Sequence, residues 1–213
     1  MNGIFVTGSN TEVGKTTVAV EIIRRLSKKK VVRVRKPVES DCPIVDAKFA
    51  PRDAIALSEA CGSSEPLSTI CPYCFELEAS PEKASYEAGK SLGLEQLVVA
   101  CKQDVGDDFV LVEGAGGFYS PIADKVLNAD LARSLKLPLV IVVRDELGAI
   151  SQALLTIEAA QKNKLSVACV VLNQIEINTL SNANALEAYT KIPVVCFSLT
   201  NLEQFWVDIE GLV

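Results

Sequence analysis

Histidine is missing from all 213 residues. Its absence removes His-based catalytic triads, imidazole proton shuttles and histidine metal ligands. Any proton chemistry must fall to Lys, Asp, Glu, Ser, Thr, Tyr, Cys or the substrate itself. Aromatic residues are scarce at 6%, against a hydrophobic content of 49%, which suits an aliphatic core of buried strands. Long apolar runs are lacking too. The longest, residues 137–143, is interrupted by Pro138 and is far too short to span a bilayer. No basic stretch precedes the first apolar run, so no secretion signal is expected. The net charge is −6, from 21 Lys and Arg against 27 Asp and Glu, and nothing in it resembles a broad nucleic-acid surface. The seven cysteines are an odd number; without a secretion signal they fit a reducing cytoplasm.

What is present is alternation. Strand-like runs fall at residues 4–7, 31–36, 109–113, 139–143, 167–172 and 194–197, and several are continuously apolar, as strands covered on both faces should be. Helical patterns fall at residues 16–30, 52–60, 92–104, 146–163 and 182–189. This order predicts an α/β fold with a doubly wound, mostly parallel sheet, and the length fits a single domain over 1–213. The least regular stretch, 62–89, is expected to contribute to the crevice at the strand C-terminal ends. The run Lys28-Lys29-Lys30 reads as the solvated end of the first helix.

The strongest motif is Thr11-Glu12-Val13-Gly14-Lys15-Thr16-Thr17. It follows an apolar run and the turn Thr7-Gly8-Ser9-Asn10, and leads into a helix with Val18, Ala19, Ile22, Ile23 and Leu26 on one face. Strand, glycine-bearing loop, Gly-Lys-Thr and helix make the P-loop layout of a nucleoside triphosphatase. Helix-start N–H groups point at phosphate oxygens, a lysine reaches the outer phosphates and a threonine hydroxyl ligates Mg²⁺. A phosphate-bearing ligand and Mg²⁺ are therefore expected here. Five residues separate Gly8 from Gly14, one more than the usual motif. A helix N-terminus with a surface lysine is the plainer alternative.

Other segments carry weaker signals. Phe109-Val110-Leu111-Val112-Glu113 ends in Gly114-Ala115-Gly116-Gly117. A carboxylate at that end of a strand sits where a P-loop enzyme positions a magnesium-binding acid, and the glycines would let backbone approach a ligand. A tight turn after a buried strand is the alternative. Lys36 ends the second strand. That strand is expected beside the first, so Lys36 either faces the phosphate loop and stabilises a transferred phosphoryl group or is simply a solvated strand end. Arg33 and Arg35 are expected to alternate outward. Asp53 lies in the first turn of a helix, where an acid is favoured whatever its function. Cys71-Pro72-Tyr73-Cys74 has a redox spacing in the wrong context, and no second pair exists to complete a zinc site. Cys42, Cys61, Cys101, Cys169 and Cys196 read as small apolar residues.

Together these segments resemble the dethiobiotin synthetases. Phe5-Val6-Thr7-Gly8 with Thr11 to Thr16 is similar to that family's phosphate loop, extra residue included. Lys36-Pro37-Val38 with Ser40 resembles its Lys-Pro segment, and Arg52-Asp53-Ala54 with Leu57 its Asp-Ala segment. Pro72-Tyr73 with Phe75, then Ser80-Pro81, resembles the loop before its third long helix. Val112 to Gly117, with Pro121, is the most distinctive block. Leu147-Gly148-Ala149-Ile150, with Ala153-Leu154-Leu155-Thr156, resembles a later helix start.

The family closes a ureido ring. 7,8-Diaminopelargonate takes up CO₂ as a carbamate, ATP phosphorylates the carbamate, and the second amine attacks the mixed anhydride. The resemblance implies that Lys15 and Lys36 neutralise developing charge, that Thr16, Asp53 and Glu113 surround Mg²⁺, and that Ser40 holds the carbamate end. Backbone from Glu12 through Val13, Gly14 and Lys15 to Thr17 would cradle phosphates, with Gly114, Ala115 and Gly116 beside them. Asn173 would contact the base. Leu147, Gly148, Ala149 and Ile150 of a neighbouring subunit would receive the substrate carboxylate, which implies a homodimer. Five positions depart from the family pattern: Asp41 stands for Gly, Glu82 for His, Ser151-Gln152 for Asn-His, and Gln174 for Asp after Asn173.

Two other readings use the same phosphate site: a nucleotide-switched dimer acting on a protein partner, and an amide-forming synthetase with a different substrate. Against the switch, the loop from Gly8 to Val13 holds no lysine, and the final segment is acidic rather than a basic amphipathic helix.

Overall fold

The computed structural model describes every residue from 1 to 213 except 63 and 177. Its central sheet has six strands: β1 (Asn2–Gly8), β2 (Val32–Arg35), β3 (Phe109–Gly117), β4 (Leu139–Arg144), β5 (Val167–Asn173) and β6 (Val194–Phe197). They lie in the order β6-β5-β4-β1-β3-β2, and every neighbouring pair is parallel. The helices are α1 (Lys15–Leu26), α2 (Arg52–Cys61), α3 (Leu67–Ile70), α4 (Pro81–Glu87), α5 (Leu94–Lys102), α6 (Asn128–Leu135), α7 (Ala149–Lys162), α8 (Asn182–Glu187) and α9 (Leu202–Ile209).

Strand periodicity splits the core in two. Ile4 and Val6 of β1 pack with Val18 and Ile22 of α1, Leu57 of α2 and Phe205 of α9. Phe5, one residue out of phase, packs on the opposite face with Leu97 of α5, Leu131 of α6 and Ile157 of α7. Each such aliphatic side chain, fully buried, contributes about 1.5–3 kcal/mol. A parallel sheet covered on both faces needs continuously apolar strands, and this is why β3 and β4 read as they do. Among the described residues no helix is long and apolar enough to cross a membrane.

Three expectations are corrected. β2 does not neighbour β1: β3 lies between them, pairing Val6 with Glu113 on one side and Arg35 with Val112 on the other. The strand with two arginines takes the sheet edge, and β3, buried at every residue but Gly116, takes the interior. Nor does Arg35 point to solvent. It is fully buried, donating to the carbonyl of Gln103 at 2.6 Å and to Glu65 at 3.0 Å. Glu65 and the end of α5 close over this edge. Finally, α1 stops at Leu26, so Lys28 to Lys30 lie beyond it. Lys29 pairs with Glu210, Lys28 lies over the Trp206 ring and Lys30 over the Phe109 ring. All three lysines remain exposed, as a solvated run should.

Candidate active site

The phosphate loop leaves β1 at Gly8 and enters α1 at Lys15. Its turn needs two left-handed residues, Glu12 at φ 57° and Gly14 at φ 85°. A Cβ on Gly14 would sit 2.0 Å from Nδ2 of Asn173, so glycine is required there by both backbone and space. No side chain caps the start of α1, which leaves its first N–H groups to an incoming anion. Lys15 is buried, with Nζ 3.4 Å from the carbonyl of Asn10. Burial, then the neighbouring Lys36, lowers its ammonium to about 8.

Opposite Lys15 lies a buried ionic cluster. Lys36, directly after β2, places Nζ 2.6 Å from Oδ2 of Asp53 and 2.7 Å from Oε1 of Glu113. Thr16 donates its hydroxyl to the same Glu113 oxygen at 2.9 Å. Burial would lower the Lys36 ammonium, but Glu113, Asp53 and Glu39 outweigh it and hold the group above its ordinary value. Burial would raise the Asp53 carboxyl; Lys36 and Thr16 hold it below the usual range. The two carboxylates arrive from different elements, Glu113 from β3 and Asp53 from the first turn of α2. The position of β3 between β1 and β2 brings both lysines to one acid.

The glycine block also accommodates side chains of the protein itself. The space a Cβ would take at Gly114 is filled by Asn128 Oδ1 at 2.6 Å, and at Gly116 by Ser120 Oγ at 2.6 Å. Asn128, fully buried at the start of α6, donates to the carbonyls of Ala115 and Gly117 and accepts from the Ala115 N–H. These glycines make room for the protein's own side chains. Ala115 and Gly116 still line the cleft.

That cleft encloses about 730 Å³ and is walled by Thr11, Glu12, Gly14, Lys15, Thr16 and Thr17 on one side. Lys36, Glu39, Ser40, Asp53, Ala79 and Ser80 form the other wall. The irregular stretch 62–89 does contribute to it, through residues 78–81. Ser40 donates to the carbonyl of Ala79 at 2.6 Å. Glu39, given no role by the sequence, is buried, and burial raises its carboxyl to about 7. Ser80 caps α4.

Residues 147–150 lie elsewhere, at the start of α7, beside a separate cavity of about 550 Å³. Leu147 there is 88% exposed. Asn173 ends β5 and donates to the Val13 carbonyl at 2.9 Å, bracing the loop from behind. Four of the five departing positions have a local setting; Ser151 is exposed and nothing in the structure explains it. Asp41 takes the left-handed φ of 57° that suits glycine. Glu82 accepts from the N–H of Lys125, Gln152 accepts from the Ser9 hydroxyl, and Gln174 donates to Asp145. Sulfur plays no visible part. The Cys71 and Cys74 thiols are free, with their sulfurs 3.6 Å apart. Cys42, Cys101 and Cys169 are buried as expected, whereas Cys61 is half-buried and Cys196 exposed.

The site suits a hard divalent cation. Among the described residues Oε2 of the fully buried Glu113 has no hydrogen-bond partner, and the nearby donors are the oxygens of Asp53 and Thr16. Mg²⁺ takes one or two carboxylates together with phosphate and water oxygens. Among the described residues no group of three or more Cys, Asp or Glu could hold a metal by itself.

Fold and loop together define a P-loop nucleotide-binding protein. A family model described as an AAA domain matches residues 2–204. The fold is similar to a Borrelia burgdorferi plasmid partition protein bound to AMPPNP, with TM-score 0.60 at 11% identity, over 100% of this chain and 99% of that one. It is also similar to a ParA family ATPase from Chlorobium tepidum, with TM-score 0.56 at 13% identity, over 100% and 92%. Sequence is more specific. The chain is 47% identical to the ATP-dependent dethiobiotin synthetase BioD of Vesicomyosocius okutanii, over 100% of this chain and 97% of the relative. It is 47% identical to that of Ruthia magnifica, over 96% and 95%. The chain belongs to the ATP-dependent dethiobiotin synthetases, ligases of biotin synthesis.

Proposed function

We propose that this chain closes the ureido ring of dethiobiotin on 7,8-diaminopelargonate, using CO₂ and Mg·ATP. The carrying observation is Lys36, buried and held at 2.6 and 2.7 Å by Asp53 and Glu113 in a cleft whose facing wall is the phosphate loop. A fixed ammonium at that place can neutralise carbamate and phosphoryl charge as it develops, which is where electrostatic catalysis acts. Lys15 does the same on the outer phosphates, and the N–H groups from Glu12 to Thr17 take the remaining oxygens. Thr16, Asp53 and Glu113 would hold Mg²⁺, which supplies charge neutralisation and orientation of the phosphates.

In the reaction, one amine of the substrate carries CO₂ as a carbamate beside Ser40. A carbamate oxygen attacks the γ-phosphorus and ADP leaves. The second amine then attacks the carbamoyl carbon, phosphate leaves with the C–O bonding pair and takes the proton that the attacking nitrogen gives up, and the ring is closed. The absence of histidine is no obstacle, because phosphoryl activation supplies the leaving group. Asn173, besides bracing Val13, is assigned to the base. Residues 1–213 act as one synthetase domain in a cytoplasmic homodimer, with Leu147, Gly148, Ala149 and Ile150 of one subunit receiving the substrate carboxylate bound by the other. The exposure of Leu147 at 88% and Leu155 at 65% supports a covered face there.

The test is phosphate release from Mg·ATP with bicarbonate, with and without the diamine, and the mass of the product. Diamine-dependent release with the ring-closed mass supports the reading. A folded, ATP-binding sample without stimulation by the diamine rejects it.

A further inference from the structure

The first N–H groups of α2 have no local partner. Pro51 precedes the helix and carries no side-chain acceptor, although a helix start leaves several donors to satisfy. They are met from another segment. One oxygen of Glu39 accepts from the Asp53 N–H at 3.0 Å and the other accepts from the Ala54 N–H at 3.1 Å. Glu39 is only 5% exposed. Serine or aspartate directly before a helix is the ordinary cap and keeps its polar group near water. A buried carboxylate reaching from a distant segment is a costlier arrangement, and it does something a local cap cannot. The same short segment, 36–39, grips Asp53 twice. Lys36 holds its side chain at 2.6 Å and Glu39 holds its backbone. The strand pair of Val38–Glu39 with Tyr73–Cys74 fixes the segment in turn.

We propose that Glu39 is a positioning residue for the reaction: through the start of α2 it sets the Asp53 carboxylate toward the cation and phosphates. This rests on the reading of Asp53 as an Mg²⁺ ligand.

The test compares Glu39→Ala, Glu39→Gln, Asp53→Ala and the double variant Glu39→Ala/Asp53→Ala. Mn²⁺ binding is read by electron paramagnetic resonance with a non-hydrolysable ATP analogue, beside turnover and thermal midpoint. Outer partners of metal ligands change affinity or activity by about ten-fold or more. Glu39→Ala should weaken Mn²⁺ binding and turnover on that scale. Glu39→Gln, which keeps one acceptor, should fall between and remains informative if Glu39→Ala does not fold. In the Asp53→Ala background, Glu39→Ala should add nothing to either loss. Two results overturn the proposal alone: a fall in thermal midpoint with cation binding and turnover unchanged, and losses that multiply in the double variant. Asp53→Ala with wild-type Mn²⁺ binding and turnover would overturn the reading of Asp53, and the proposal with it.

Discussion

The side-chain amide of Asn173 donates to the carbonyl of Val13 at 2.9 Å across 160 residues of sequence. Asn173→Ala should leave that carbonyl unpaired in a buried setting, at a cost of about 1–3 kcal/mol, and should weaken ATP binding by loosening the loop. Denaturant unfolding and titration calorimetry would read both. Gly14→Ala should be worse, because the added carbon meets the same amide at 2.0 Å on a backbone at φ 85°. An Asn173→Ala protein with normal stability and affinity would remove the brace from the account.

Lys36 neutralises two carboxylates, one of them wholly buried. Breaking a buried ion pair from one side costs about 3–5 kcal/mol, so Lys36→Ala should be markedly destabilised without ligand. Its turnover should fall by roughly 100-fold or more, while affinity for an ATP analogue changes far less, since the charge acts chiefly in the transition state. Turnover within a few-fold of wild type would refute the role.

Asp41→Gly should be neutral to stabilising by up to about 1 kcal/mol. The native φ of 57° costs a non-glycine residue some strain, partly offset by the freedom glycine adds to the unfolded chain. The lost contact with Arg52 at 3.3 Å is between side chains 55% and 68% exposed and contributes little. Thermal unfolding decides it: a fall of several degrees would mean the Asp41 side chain matters.

Lys15 titrates near 8 in the nucleotide-free protein, chiefly because it is buried. A lysine lowered on folding opposes folding while it is protonated. That penalty is full below pH 8 and fades as pH rises toward the ordinary lysine value. Phosphates favour the charged form, so ATP binding between about pH 8 and 9 should take up a proton. Calorimetry in buffers of different ionisation enthalpy should show this uptake, and Lys15→Met should abolish it. Equal heats across buffers in the wild type would contradict the assignment.

Replacing Cys71 and Cys74 together by serine should leave turnover nearly unchanged. Both thiols are free and lie outside the wall of the cleft. Loss of activity with the fold intact would give this pair a role.

Long, strongly patterned elements were legible from sequence. All six strands of the central sheet were expected, and so were α1, α2, α5, α7 and α8, because buried parallel strands and one-faced helices leave clear periodicities. α3, α4, α6 and α9 were not expected, each being at most eight residues long. Strand order was beyond reach: periodicity tells which residues are covered, not which strand covers them, and so β3 between β1 and β2 came from the structure. Arg35 shows the same limit, since its burial depends on Glu65 and Gln103 folding over the edge. At the site, Gly14, Lys15, Thr16 and Glu113 announced themselves through local motifs. Glu39 and Asn128 did not, because each works by hydrogen bonds to backbone remote in sequence.

The strand order also sets when the molecule can assemble. β1 is the first strand made, yet its two neighbours pair residue 2 with residue 109 and residue 5 with residue 139. Parallel pairing at such separations has a high contact order, and loops that long must close before any contact rewards them. The phosphate loop therefore cannot be shaped by the N-terminal segment alone. A fragment ending before β3 should neither hold its fold nor bind nucleotide, and during refolding ATP binding should appear only in the slow, final phase.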